Sequence, residues 1–295
     1  MSQNHRLTQF WQQRSITIWR NKLSPQRWYR RATARLRRTP DFIIVGAQKA
    51  GTTSLYGYLA AHPQIVPPIA KEIGFFTGHF DLGLDWYRMF FPFATGRSSR
   101  GRSAPEIQSG ESTAHYMFHP HAIQRMASTL PHVKVIMLLR NPIDRAFSHY
   151  QMKVRRRQET LSFDEAIDAE PARLGGEREK MRRDPGHRCP NLFRFSYLAR
   201  GMYLDQVETC QRFFGPDRLL ILESSEFFRE TANVYRRVLK FLGLREFENP
   251  AFGNRFPGKY SEKMSPATRS RLIDYFAPHN AQLYAHLGTR FDWDR

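Results

Sequence analysis

Short apolar runs, each followed by a polar stretch suited to opening a helix, set the pattern of this chain. Phe42-Ile-Ile-Val45 is apolar without alternation, as expected of a parallel strand covered on both faces. Thr52 to about Ala61, with Leu55 and Leu59 on one face and His62-Pro63 beyond, predicts the helix after it. Val133 to Leu139 and Pro142 to about Arg157 repeat the pair, and Leu219 to Leu222 is another short strand after Gly215-Pro216. Glu226 to Leu242 predicts one helix ending before Gly243. Ser265-Pro266 is an N-cap with proline at the first helical position, and Leu272, Ile273 and Phe276 form a stripe expected to stop at Pro278. Such alternation predicts an α/β fold of three layers, a central parallel sheet flanked by helices, with its ligand at the carboxyl ends of the strands.

The first strand runs directly into Gly46-Ala-Gln-Lys49-Ala50-Gly51-Thr52-Thr53-Ser54. Two glycines permit a tight turn, and the helix that follows presents free amides and its positive dipole end to an anion, with Lys49 adding a mobile charge. This is a phosphate site of P-loop-like character. It is not the triphosphatase loop G-x-x-x-x-G-K-[ST], because Thr52 occupies the lysine position and Lys49 precedes Gly51. The second strand ends in Arg140, with Ser148 eight residues later. A guanidinium fork and a hydroxyl suit a second phosphate.

Gln48-Lys49-Ala50-Gly51-Thr52-Thr53 resembles the 5′-phosphosulfate loop of sulfotransferases that use 3′-phosphoadenosine-5′-phosphosulfate (PAPS), particularly the carbohydrate branch that includes heparan sulfate enzymes. Val133 to Tyr150 resembles the family's second signature, in which the residues matching Arg140 and Ser148 hold the cofactor 3′-phosphate. The resemblance implies PAPS as co-substrate, no metal, and transfer of a sulfuryl group to a hydroxyl or amine of a carbohydrate or glycolipid acceptor, an acidic one being compatible with the basic chain. Lys71-Glu72-Ile73-Gly74-Phe75-Phe76 is similar to the segment carrying the family's glutamate base, so Glu72 is the expected base and Lys49 the cation at the leaving 5′-phosphate. Lys71 and His115 are expected near the acceptor, and His115 is the rival base.

One departure stands at Gly110-Glu-Ser112-Thr-Ala-His115-Tyr116, where the family commonly has a glutamate-lysine pair and this chain has Ser112. His115, Arg145 or Lys71 would then compensate for the missing cation. Ser196 to Tyr203 also looks like a family segment, and Asn254 to Tyr260 resembles the loop that closes over the 3′-phosphate, which assigns Gly258, Lys259 and Tyr260 to the cofactor. The span Lys153 to Arg194 carries no transferable motif and reads as part of an acceptor-facing wall or a solvated insertion.

Composition adds a polar asymmetry. The 295 residues carry a net charge of +19, and residues 1–40 hold ten basic side chains and no Asp or Glu, interleaved with Trp11, Trp19, Trp28 and Tyr29. The chain therefore divides into a basic aromatic arm, 1–40, and a catalytic domain, 41–295. Such an arm suits packing on the domain, contact with an anionic membrane surface, or docking on a polyanion. No apolar stretch spans a membrane and Met1-Ser-Gln-Asn lacks a secretory signal's apolar core, so a cytoplasmic enzyme, peripheral at most, is expected. Cys189 and Cys210 form no disulfide framework, and whether they pair is open. The competing readings are a P-loop kinase or triphosphatase, which lacks its Gly-Lys, and a basic nucleic-acid-binding protein, for which no recognition module is present.

Overall fold

A computed structural model of the chain describes residues 24–94, 107–248, 252 and 263–293. Residues 95–106, the cofactor residues Gly258, Lys259 and Tyr260, and residues 1–23 of the arm lie outside the described residues.

Four parallel strands form the sheet: β1 Phe42–Gly46, β2 Gly110–Ser112, β3 Lys134–Leu139 and β4 Leu219–Glu223, in spatial order β2-β1-β3-β4. Phe42 to Val45 and Val135 to Leu139 are wholly buried, which is why both read as unbroken apolar runs. Helices flank this sheet. In chain order they are α1 Pro25–Ala32, α2 Thr52–Leu59, α3 Phe75–Gly78, α4 Gly83–Arg88, α5 Ala122–Thr129, α6 Pro142–Arg155, α7 Phe163–Asp168, α8 Glu170–Leu174, α9 Glu177–Arg183, α10 Pro190–Phe195, α11 Leu204–Arg218, α12 Ser224–Arg229, α13 Thr231–Leu242 and α14 Pro266–Leu287.

The expected α/β sandwich is present, and several local expectations need correction. Strand β2 was not legible: three residues, Gly-Glu-Ser, carry no apolar signal. It is fixed instead by its partner, since a Cβ at Gly110 would stand 2.4 Å from the Phe42 ring. The helix expected over Glu226 to Leu242 begins at Ser224 and breaks at Glu230, whose φ of −125° and ψ of 47° are not helical. Nor does Pro278 end α14. Asp274, whose carbonyl loses its amide partner, lies with Pro278 on the exposed face where water replaces the bond, while Phe276, Asn280 and Leu283 keep both halves buried. Ile273 is only half-buried.

The charged span Lys153 to Arg194 is no solvated insertion. It folds into α7 to α10, with Phe163, Ala166 and Ile167 packed on Ile143, Ala146, Phe147 and Tyr150 of α6 and on Leu272 and Phe276 of α14. Helices of five to seven residues do not stand alone in water, so packing holds them, each buried apolar side chain contributing about 1.5–3 kcal/mol. Cys189 and Cys210 are both buried free thiols.

Candidate functional site

The β1–α2 turn leaves the helical and extended regions at Lys49, φ 74°, and at Gly51, φ 99°. Gly51 precedes α2, and intrahelical bonding begins at Ser54 and Leu55, which both donate to the Gly51 carbonyl. The amides ahead of them are those a helix leaves for an anion. The turn is clamped from elsewhere in the chain. Ala47 donates its N–H to Leu138 O at 2.7 Å, Ser224 Oγ donates to Ala50 O at 2.9 Å, and Arg140 Nη1 donates to Lys49 O at 2.7 Å. Arg140 is held in turn by its own carbonyl, which accepts from Tyr203 Oη at 2.9 Å. The two phosphate signatures thus meet. Ser148, the second residue expected at the 3′-phosphate, lies buried on α6.

Lys49 sits in a strongly positive surrounding. Burial, followed by the charges of Arg155, Arg140, Arg156 and Arg145, lowers its pKa to about 8. Ala50 and Thr52 are buried. Thr53 Oγ1 accepts from Lys71 Nζ at 2.5 Å, which draws the Lys71-Glu72 segment to the opening turn of α2. Burial lowers the Lys71 pKa too, opposed by the neighbouring Glu72 charge. Glu72 is exposed, with φ 57°.

Only three non-glycine residues among those described have positive φ: Lys49, Glu72 and Arg157. Each such residue costs on the order of 1–3 kcal/mol, which the surroundings must impose, and strain of this kind concentrates at working sites. Two of the three are the residues expected to act on the sulfuryl group.

His115 lies half-buried beside the same segment, Nε2 within 3.2 Å of Thr77 Oγ1, its ring edge-on to Phe193. Burial, then the charges of Arg200 and His119, push it down to about 3. A ring so disfavoured for protonation is a poor proton acceptor. Ser112, where a lysine was expected, is buried in β2. Of the three proposed substitutes, Arg145 is wholly buried and donates Nη2 to Tyr197 O, Lys71 is bonded to Thr53, and His115 is the uncharged ring just described. A cation absent from the expectations stands nearby: Arg200 approaches Gln48 Oε1 at 3.5 Å and lies 4.8 Å from the Phe118 ring centroid. Its place in the Ser196-to-Tyr203 resemblance was the one available signal.

Among the described residues, no group of three His, Cys, Asp or Glu is placed to hold a metal. None of the described helices is long and apolar enough to cross a membrane.

The sulfotransferase domain model matches residues 39–251. The human bifunctional heparan sulfate N-deacetylase/N-sulfotransferase 3 is 28% identical over 95% of this chain, and the human N-deacetylase/N-sulfotransferase 1 is 30% identical over 83%. The chain spans about a third of the length of these relatives, 33% and 29% respectively. The membrane-associated sulfotransferase kil1 of Dictyostelium discoideum is 25% identical over 86% of this chain and 66% of its own. The crystal structure of a sulfotransferase from Alicyclobacillus acidocaldarius superimposes with a TM-score of 0.64 and 32% identity, covering 88% of this chain and 100% of the other.

Proposed function

Because the chain belongs to the sulfotransferase-domain family, we propose that it moves a sulfuryl group from PAPS to a hydroxyl or amine of a carbohydrate or glycolipid acceptor. The contact between Arg140 and the Lys49 carbonyl carries this reading, because it joins two cationic anchors beyond the carboxyl ends of β1 and β3, as a ligand phosphorylated at both its 5′ and 3′ ends requires. The turn before α2 and Lys49 receive the 5′-phosphosulfate, with the backbone of Ala50 and Gly51 and the hydroxyls of Thr52 and Thr53. Arg140 and Ser148 receive the 3′-phosphate, and Gly258, Lys259 and Tyr260 close over it.

In the transfer, the acceptor proton passes to the Glu72 carboxylate as the acceptor atom bonds to sulfur. The opposite bond, from sulfur to the 5′-phosphate oxygen, breaks in line, and negative charge grows on that oxygen beside Lys49. Lys71, bonded to Thr53, orients the acceptor-facing edge of the same turn. The chemistry needs no metal. The heparan sulfate relatives favour a carbohydrate acceptor, and the net charge of +19 favours an acidic one.

The arm has a partner of its own kind. Arg30 donates to Met89 O and Phe91 O, and Arg37 to Phe91 O, so α1 is moored to the domain by two arginines. Trp28 and Leu36 remain 66% and 62% exposed beside Arg31 and Arg35. Large apolar side chains among exposed arginines fit the surface of an anionic bilayer, a peripheral contact. Thermal shift with PAPS, adenosine 3′,5′-bisphosphate, ATP, GTP and DNA tests the central reading: stabilisation by the first two above the rest is expected, and preference for a triphosphate or for DNA would overturn it.

A further inference from the structure

Glu111 is a carboxylate with no access to solvent, on the edge strand β2, and all its described partners are donors. Tyr87 Oη donates to Oε1 at 2.5 Å, Tyr116 Oη to Oε1 at 3.0 Å and Thr113 Oγ1 to Oε2 at 2.7 Å. The main-chain N–H of Ile73, the residue after Glu72, also faces the carboxylate and favours its charged form. The hydroxyls that surround Glu111 reach further along the same segment. Thr113 Oγ1 accepts from Gly74 N–H at 3.4 Å, and Phe76 N–H faces Tyr116 Oη. The Tyr87 ring also stacks on Phe75, centroids 4.4 Å apart and planes within 8°.

Three main-chain amides, those of Ile73, Gly74 and Phe76, therefore face one buried polar cluster, and that of Gly74 is bonded to it. Glu72 stands immediately before them at φ 57°, followed by Gly74 at φ 68°. An exposed side chain does not hold its own backbone in the left-handed region, so the hold comes from the amides that follow. A buried carboxylate is a costly group for merely filling space, and its burial, which raises its pKa, is offset by hydrogen bonds that favour the charged form. An apolar side chain would fill that place at less cost. What only an acceptor does is capture the Ile73 amide and the two tyrosine hydroxyls together.

We infer that Glu111 is a positioning residue for Glu72: through the Thr113 hydroxyl, which carries Gly74 N–H, and from its place facing Ile73 N–H, it fixes the backbone from which the Glu72 carboxylate reaches the acceptor. The inference rests on Glu72 acting as the base. It assigns Glu111 no contact with PAPS or acceptor.

The test uses the full chain with adenosine 3′,5′-bisphosphate bound. Glu111→Gln should speed amide hydrogen exchange over residues 72–76 and lower kcat on the order of ten- to a hundredfold, the scale of a small misplacement of a reacting group. Nucleotide affinity and acceptor KM should stay within about twofold. In the double variant with Glu72→Gln the second loss should vanish, since a mispositioned base that is already absent costs nothing more. If Glu111→Gln does not fold, Thr113→Val removes only the hydroxyl linking Gly74 N–H to Glu111 and should show the same pattern in reduced degree. Faster exchange with unchanged kcat, or losses that multiply in the double variant, would overturn the inference while leaving Glu72 as base. An active Glu72→Gln single variant would instead overturn the base assignment and this inference with it, whatever the exchange shows.

Discussion

Arg140 and Lys49, ninety-one positions apart, are joined by a 2.7 Å hydrogen bond from the guanidinium to the lysine's main-chain carbonyl. One nitrogen of the fork fixes the phosphate turn, and the guanidinium keeps donors for a ligand. A single side chain thus braces the β1–α2 turn and keeps donors for the 3′-phosphate proposed above.

Arg140→Ala should consequently weaken adenosine 3′,5′-bisphosphate by about 2 kcal/mol or more, the scale of a lost charge-assisted contact. Wild-type protein should bind the bisphosphate far more tightly than AMP, and the variant should lose most of that preference. Calorimetry giving equal affinities for the two nucleotides in the wild type would remove the 3′-phosphate assignment.

Glu72→Gln should lower transfer on the order of 10²–10⁴-fold, to a residual rate, and leave nucleotide affinity within a few-fold, since a base acts on the acceptor. His115→Ala is the matched control. With its pKa pushed down to about 3, His115 has little basicity at neutral pH, and its variant should keep turnover within about tenfold. A dead histidine variant beside an active Glu72→Gln would reverse the roles.

Lys49 should make cofactor binding depend on pH. Its pKa is lowered, so the free protein holds the lysine charged below about pH 8 and neutral above it. A bound phosphate favours the charged form and raises that pKa again. Binding of the bisphosphate should therefore weaken as pH rises beyond 8, and near that pH it should take up a fraction of a proton, readable by calorimetry in buffers of different ionisation enthalpy. Lys49→Ala should abolish the uptake and lower turnover more than affinity, because charge on the leaving oxygen peaks in the transition state. Turnover should persist in EDTA; loss restored by magnesium would favour a kinase-type site.

Deleting residues 1–23 removes four of the ten basic residues of the arm and leaves the mooring arginines Arg30 and Arg37 in place. Bisphosphate binding should not change. Sedimentation with anionic vesicles should fall, and should fall likewise for the full chain as salt rises, because exposed charges are screened within about 10 Å at 0.1 M. Trp28→Ser in the full chain should weaken vesicle binding without loss of melting temperature. Indifference of the full chain to anionic vesicles at low salt would leave α1 as a packing element alone.

The parts legible in the sequence were those where one local rule decides the outcome. Phe42 to Val45 and Val135 to Leu139 are strands because they are buried on both faces, and the glycine-bearing turn between Val45 and Thr52 is marked by the residue types an anion turn requires. Strand β2 escaped because its three residues owe their conformation to Phe42 and to the polar contacts of Glu111. The helices α7 to α10 escaped because their apolar positions are sparse and their partners are distant in sequence: those of α7 lie on α6 and α14, and Met181 of α9 and Leu192 of α10 pack with Phe118. The candidate base was found through family resemblance. Its left-handed backbone and the buried carboxylate behind it had no signal in the order of residues.

The braces of the phosphate turn have a consequence for how the protein is made. Lys49 and Ala50 leave the ribosome well before their support, since the hydroxyl that holds Ala50 O belongs to Ser224, 174 residues later. At about 5–20 residues per second, the nascent turn waits roughly 10–35 seconds for its last support. For about the first half of that interval β1 also lacks its neighbour β3, so one hydrogen-bonding edge of the strand stands open. A fragment ending short of β4 would inherit the recognisable motifs without the means to keep them in shape.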